Sequence, residues 1–456
     1  MTSDLTRRNL FSLGAAGLLA SPGVSAVAAR PIRRPRVAAI FTVLRFRSHA
    51  YNILENFMGP YLFRGQMRDP GVDVVSFYAD QFPEDDMARD VARRTGVPLY
   101  PSIPEALRCG GNDLAVDAVL SIGEHGDYPW DSLGRHLYPR KRFFDESVKV
   151  MEDVKRYVPF FNDKHLSYRW DESRTMFDTA RENQMPLMAG SSVPLAQRMP
   201  PVEIPPGARI EEAVSIHGGG LESYDFHAFE VLQSFVESRS GGETGVADIQ
   251  LLTGQAYQEA LKQGRWSKDL VDAAMAAERQ MNVRRQRWPR TGVFSARRPT
   301  VHQPPEKPNG PYAISIRYND GMKATVLRLT SSSDRWNFAC RLKGEQKPRA
   351  TALFNGPWGN RCLFKALSHA IQYTFTKQQE PWPAERTLLT SGMVDAVMTS
   401  WNNNGKAVPT PHLKISYQAA DWSQLREDGA TWKIITPDTP QPVDFQPRPW
   451  SDLRPH

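Results

Sequence analysis

Cysteine is scarce in this chain, at Cys109, Cys340 and Cys362 only. Three is an odd count without metal-ligand spacing, so a disulfide framework and a cysteine-rich metal centre are both excluded, and buried thiols are expected. Long apolar runs are missing too. The run Leu10 to Ala20 is rich in Gly and Ala and too short for a bilayer-spanning helix, which needs about 20 residues. No later stretch is long and apolar enough, so no membrane span is expected in the mature chain. The body also lacks the clustered basic face that a nucleic-acid binder needs. The formal charge is +7, but residues 1–36 hold six arginines against one aspartate, so most of that excess sits at the start.

What is present begins with Thr6-Arg7-Arg8-Asn9-Leu10-Phe11, paired arginines directly before the short apolar run. Ala26-Val27-Ala28 then supplies the small-residue pattern of a cleavage site. In that order the features read as a twin-arginine export signal over residues 1–29, with a retained anchor as the alternative. The expected partner during export is the twin-arginine translocase, and the expected location is periplasmic or secreted. Such cargo is exported folded and often acquires a cofactor beforehand.

From Arg36 the pattern alternates. Strands are expected at 37–43, 72–78, 116–122, 158–161 and 186–189, and helices at 48–63, 83–95 and 171–183. Near-continuous apolar strands separated by helices predict a doubly wound parallel sheet, a Rossmann-like domain over 37–195. Met199-Pro200-Pro201 and Pro205-Pro206-Gly207 mark a crossing into a second domain, 196–456. There, helices are expected after Gly220, around 255–280, and near 361–377 and 384–401. Asn319-Asp320-Gly321 predicts a hairpin between 313–318 and 323–329, because Asp-Gly tolerates positive φ. The expected fold class is therefore α/β, with a C-terminal α+β domain whose sheet is largely antiparallel.

Three segments carry chemistry-bearing residues. Val116 to Gly123 is an apolar strand ending Ser121-Ile122-Gly123. Phe161-Asn162-Asp163-Lys164-His165-Leu166 sets a lysine at a strand end, and Gly218-Gly219-Gly220-Leu221-Glu222-Ser223-Tyr224-Asp225-Phe226-His227 turns from glycines into a helix. In this order, over about 36–418, the chain resembles the glucose–fructose oxidoreductase/inositol dehydrogenase (Gfo/Idh/MocA-like) superfamily. The resemblance puts Lys164 on the lysine that positions and protonates the substrate oxygen, and His227 on the general acid/base histidine. The acid four residues before that histidine would be Ser223, with Glu222 or Asp225 as substitutes after a one-residue slip. It implies NAD or NADP, held around Thr42, Arg45, Arg47, Asp80, Ser121 and Gly123.

The chain departs from that pattern in the phosphate loop. Aligned on His49-Ala50, the three fingerprint glycines become Phe41, Val43 and Phe46, none of which can make a tight turn or let the backbone approach a phosphate. Arg45 and Arg47 could hold phosphates by charge instead, or be a solvated loop pair. Asp163 stands where the family has Glu, and His165 where it has Pro. His217, Glu222, Asp225 and His227 match no recognised ligand spacing, so no metal is expected. His125 would face the same cleft, and Tyr128, Trp130, Tyr168 and Trp170 could stack on sugar faces or simply pack. The leading expectation is NAD(P)-dependent oxidation or reduction of a sugar or polyol. The rival is a cofactor-free carbohydrate binder, or a metal or acid–base sugar lyase. A homo-oligomer stays open.

Overall fold

The computed structural model describes residues 33–284, 301–303, 305–330, 332–442 and 445. The export signal 1–29 and residues 285–300 of the Pro- and Arg-rich loop lie outside them. The described residues from Arg34 onward pack as one compact unit.

The apolar runs of the first half become strands. β1 (Arg36–Phe41) leads through α1 (His49–Leu54) and a small hairpin, β2 (Tyr61–Phe63) and β3 (Gln66–Arg68), to β4 (Asp73–Ala79). Then come α2 (Ala88–Thr95), β5 (Leu99–Tyr100), α3 (Ile103–Arg108), β6 (Ala118–Ile122), α4 (Arg140–Asp153), β7 (Phe160–Asp163), α5 (Trp170–Glu182) and β8 (Leu187–Gly190). Six of the strands form one sheet in the order β5-β4-β1-β6-β7-β8, every pair parallel. The order reverses at β1, so the strand C-termini open a crevice between β1 and β6.

Two local expectations change. The helix expected over 48–63 stops at Leu54, and the chain turns at Gly59-Pro60 into the hairpin. Proline lacks the amide a helix needs and pushes the preceding residue out of helical geometry. The helix expected from 83 starts at Ala88, because Asp86 caps its first amide and reaches back to the β1 loop. It ends as expected, at Gly96 with φ +71.

The second half holds β9 (Gln197–Met199), β10 (Ile210–Gly218), α6 (Ser223–Val236), β11 (Val246–Thr253), α7 (Gly254–Lys262), α8 (Lys268–Met281), β12 (Tyr312–Tyr318), β13 (Lys323–Arg328), β14 (Ser332–Leu342), β15 (Arg349–Phe354), α9 (Asn360–Lys377), α10 (Ala384–Asn402) and β16 (Val408–Pro409). The sheet order is β16-β11-β12-β13-β10-β14-β15-β9, antiparallel except at β10–β13. The β12–β13 hairpin turns at Gly321, φ +87, as its Asp-Gly predicts. The single helix expected over 255–280 is two, separated by Gly264 at φ +63.

α9 and α10 follow most of the second sheet in sequence, yet α9 covers the first. Phe364, Leu367, Ile371 and Phe375 join Val37, Ala39, Phe41 and Leu120 in one buried cluster. Burying each such side chain contributes roughly 2 kcal/mol. α10 packs on α6 and α5, with Leu388, Leu389 and Val397 beside Phe226 and Met176 in a second cluster. These helices brace α6 against the strand ends.

Candidate functional site

The first sheet delivers its strand ends to one place. Thr42 follows β1, Glu124 follows β6, Lys164 follows β7 and Ser191 follows β8. α6 brings His227 from the other half of the chain, where its Nδ1 lies 2.6 Å from Ser191 Oγ. Its Nε2 has no hydrogen-bond partner among the described residues.

Lys164 donates to Glu124 Oε1 at 2.7 Å, and Arg140 donates to Glu124 Oε2. Arg140 Nε also donates to the Asp163 carbonyl, tying the β7 end to the same carboxylate. Burial alone would raise the Glu124 carboxyl; the Lys164 and Arg140 charges outweigh it and hold it well below the usual carboxylate range. Gly123 permits this arrangement, since a Cβ there would stand 2.9 Å from Arg140 Cγ. In the cleft, His125 (φ +74) and Lys164 (+66) sit in the left-handed region, as do Arg47 (+63) in the first loop and Glu222 (+78) at the α6 cap. Such strain persists where surrounding contacts over-determine it, as functional sites do.

Histidines line the rest. His49 Nδ1 lies 2.7 Å from Asp163 Oδ2, and its ring packs against His125 at 5.0 Å. His125 Nε2 is buried without a partner. Burial first, then the charge of Lys164, pull His227 well below its ordinary value. Burial does the same to His125, with His49 next in weight, and to His165, with Arg140 next. Three imidazoles of the cleft, those of His125, His165 and His227, are therefore held toward the neutral form beside the doubly paired Glu124 carboxylate.

Of the residues expected in catalysis, Lys164 and His227 reach the cleft, while Asp225 and Glu222 have other work. They form a capping box at the start of α6. Asp225, fully buried, accepts from Tyr312 OH at 2.9 Å and lies 3.0 Å from His217 Nε2. Glu222 accepts from the His136 amide at 3.0 Å and from Lys307 Nζ at 2.6 Å. Glu124 and Arg140 are the functional candidates that the sequence reading missed. A Glu after a strand looks like surface, and only the fold brings Arg140, sixteen residues on, against it.

The residues expected at a cofactor are arranged as follows. Thr42 Oγ1 donates to the Glu124 carbonyl at 2.6 Å, and Ser121 is buried inside β6. Asp80 accepts from Tyr78 and Tyr128, both at 2.6 Å, and from Arg142 at 2.5 Å. Burial pushes its carboxyl up, but those three donors bring it below the ordinary value. Arg47 donates to Gln441 Oε1 and the Trp358 carbonyl. Arg45 is half-buried with no ion pair among the described residues. Tyr128 thus serves Asp80, and Trp130 stacks on His136 at 4.0 Å.

A dinucleotide pyrophosphate needs free backbone amides, a close approach and a helix N-terminus at the first loop. Val43 and Leu44 instead fill that loop as fully buried side chains. The Leu44 amide donates to Asp86 Oδ2 at 2.8 Å, which puts a carboxylate on a loop amide. The helix that follows has only six residues. Asp80, the acid expected at a ribose, is already engaged by three donors. As arranged, these residues do not fit the pyrophosphate and ribose of a dinucleotide.

The chain matches no protein-family model, and no curated protein matches it in sequence. Solved structures match its fold. GenD2 from gentamicin A biosynthesis, solved with NAD, superposes with a TM-score of 0.51 at 10% identity, over 84% of this chain and 97% of that one. A putative myo-inositol dehydrogenase from Sinorhizobium meliloti 1021 gives 0.48 at 9% identity, over 82% and 99%. Scyllo-inositol dehydrogenase from Lactobacillus casei, with bound NAD(H) and scyllo-inositol, gives 0.48 at 9%, over 83% and 99%. The expected fold, a Rossmann-like sheet followed by a largely antiparallel one, is the fold shared with GenD2.

Proposed function

We propose that this chain acts on a sugar- or polyol-like small molecule in the strand-end cleft, with Lys164 and His227 handling the proton of one substrate hydroxyl. The observation that carries this reading is a strained, buried Lys164 paired with Glu124 in the same cleft as a neutral His227. The ammonium can donate to an alcohol or carbonyl oxygen. Ser191 engages His227 Nδ1, which leaves Nε2 to take the hydroxyl proton. Asp225 and Glu222 support this chemistry only by capping the helix that presents His227.

Oxidation or reduction at the carbon bearing that hydroxyl is the reading supported by the fold shared with GenD2, a protein solved with NAD. The closed 41–48 loop supports a second reading, in which the cleft binds a carbohydrate, or eliminates from it by acid–base chemistry, without a nicotinamide. Export through the twin-arginine translocase, to the periplasm or beyond, rests on Arg7-Arg8 and Ala26-Val27-Ala28.

The deciding experiment is mass spectrometry of small molecules released by denaturing protein purified from its export route, with thermal melting in added NAD(H) and NADP(H). Stoichiometric dinucleotide release selects the redox reading. No release, with melting unchanged by either nucleotide, selects the second. Failure of every sugar and polyol to bind, in wild type, removes the cleft proposal itself.

A further inference from the structure

A second cavity, about 670 Å³, lies between the 198–207 crossing, the end of α6 and the 418–426 segment. Its wall at Phe235 is eight residues along α6 from His227, about 12 Å at 1.5 Å per residue, so it is separate from the strand-end cleft. Its volume is in the range of small-molecule sites.

The chemistry of the wall is asymmetric. Arg198 is only 8% exposed, stacks 3.9 Å over the Phe235 ring, and has a buried Nε with no partner. Arg426 lies over Trp422 at 5.4 Å. The two guanidiniums converge on one carboxylate, Glu203, at 2.8 Å and 2.5 Å, and that side chain is 64% exposed. Burial, and then Arg426 beside it, pull the Arg198 guanidinium down to about 9, and its Nη1 also donates to the Val202 carbonyl at 3.0 Å.

The other acids on the wall are committed elsewhere. Glu237 accepts from Arg386 at 3.2 Å and from Tyr417 OH at 3.0 Å. Asp421 accepts the Ser423 amide at 2.9 Å. The donors therefore outlast the internal acceptors, and the one acid serving both arginines can swing into water.

We infer that this cavity is a second ligand site, for a small organic oxyanion, in which a ligand carboxylate or phosphate replaces Glu203 between Arg198 and Arg426. Two guanidiniums offer the forked donors that planar oxyanions accept. A neutral sugar would leave the Arg198 charge uncompensated.

Isothermal titration of the full-length chain with glucuronate, glucose 6-phosphate and glucose tests this. At least one of the two anions binds at one per chain, and the one that binds identifies carboxylate or phosphate as the group read. Glucose binds at least tenfold more weakly. Arg426→Gln weakens the anion at least tenfold, and Glu203→Gln, which removes the internal competitor, tightens it severalfold. Glu203 is 64% exposed but Arg426 only 13%, so the melting temperature of each variant is read beside its affinity, and only folded variants are compared. Lys164→Met, in the other cleft, leaves the affinity unchanged. Absence of binding by both anions, equal binding of glucose, or affinities indifferent to residues 203 and 426 would overturn the inference.

Discussion

Lys164 and Arg140 share one carboxylate, Glu124, each on its own oxygen. A buried acid with two cations is unequal in what its removal does. Glu124→Gln leaves two facing positive charges, whereas Lys164→Met leaves the Arg140–Glu124 pair intact. Breaking a buried pair by deleting one partner costs about 3–5 kcal/mol. Glu124→Gln is thus expected to lower stability by that amount, and Lys164→Met by clearly less. Denaturant titration of the two variants reads the order directly, and equal losses would contradict the shared-carboxylate arrangement.

Turnover separates those variants differently. Positioned proton transfer contributes roughly 10²–10⁴ in rate. On any sugar or polyol that the wild type converts, Lys164→Met and His227→Phe should each lose at least about 10²-fold in kcat. Asp225→Asn should lose stability instead, through Tyr312 and the α6 cap, while kcat per folded molecule stays within a few-fold.

Protonation gives a third expectation. His125, His165 and His227 are held well below the ordinary histidine value, and burial brings His136 to about 4. Unfolded histidines take up protons near pH 6.5, so below that pH the unfolded chain binds more protons than the folded one. Their stabilisation is complete above about pH 6.5 and falls as pH drops toward 4, by up to about 1.4 kcal/mol per pH unit for each residue. Glu230 and Glu237, raised by burial, act in the opposite sense above about pH 4.5. Melting temperatures between pH 8 and 5 should fall, and His165→Asn should flatten the slope. An unchanged slope in that variant would mean that His165 takes up its proton in the fold as readily as in the unfolded chain.

The loop at Leu44 makes a fourth. Asp86→Ala frees the Leu44 amide and removes a carboxylate from the place where a pyrophosphate would approach. It also removes the cap on Ala88, at a cost of about 1 kcal/mol. NAD(H) affinity, read by fluorescence titration, should therefore rise in a variant that is less stable. Tight binding to the wild type, unimproved by the substitution, would mean that the loop opens by another route.

Gly218 ends β10, four residues before the α6 cap at Glu222. A Cβ there would meet the Ser332 backbone at 2.4 Å. Gly218→Ala should destabilise by about 1–3 kcal/mol, the range for forced overpacking, and chemical denaturation measures it.

Much of this was legible beforehand because it is local. Apolar runs between helical spacings yield the parallel sheet, and Asp320-Gly321 forces its hairpin. Lys164 and His227 are reached only through the family resemblance of the 161–166 and 218–227 segments, since a strand-end lysine and a helix-start histidine are otherwise ordinary. The helix over 48–63 misled because Phe57, Tyr61 and Phe63 continue a helical spacing that Gly59-Pro60 interrupts. Glu124 could not be picked out, since its role depends on Arg140 and Lys164 from two other elements. Asp80 had the right position, but its three donors come from β4, the loop after β6 and α4, which no local pattern records.

The helix α9 lies against β1, the first strand made, although some 320 residues of chain separate them. During synthesis, that face of the sheet therefore has only α1 and α2 as helical cover until residues 360–377 have left the ribosome. The core closes only after nearly the whole chain is available, so a fragment ending near residue 195 would expose Phe41, Leu120 and their neighbours to water.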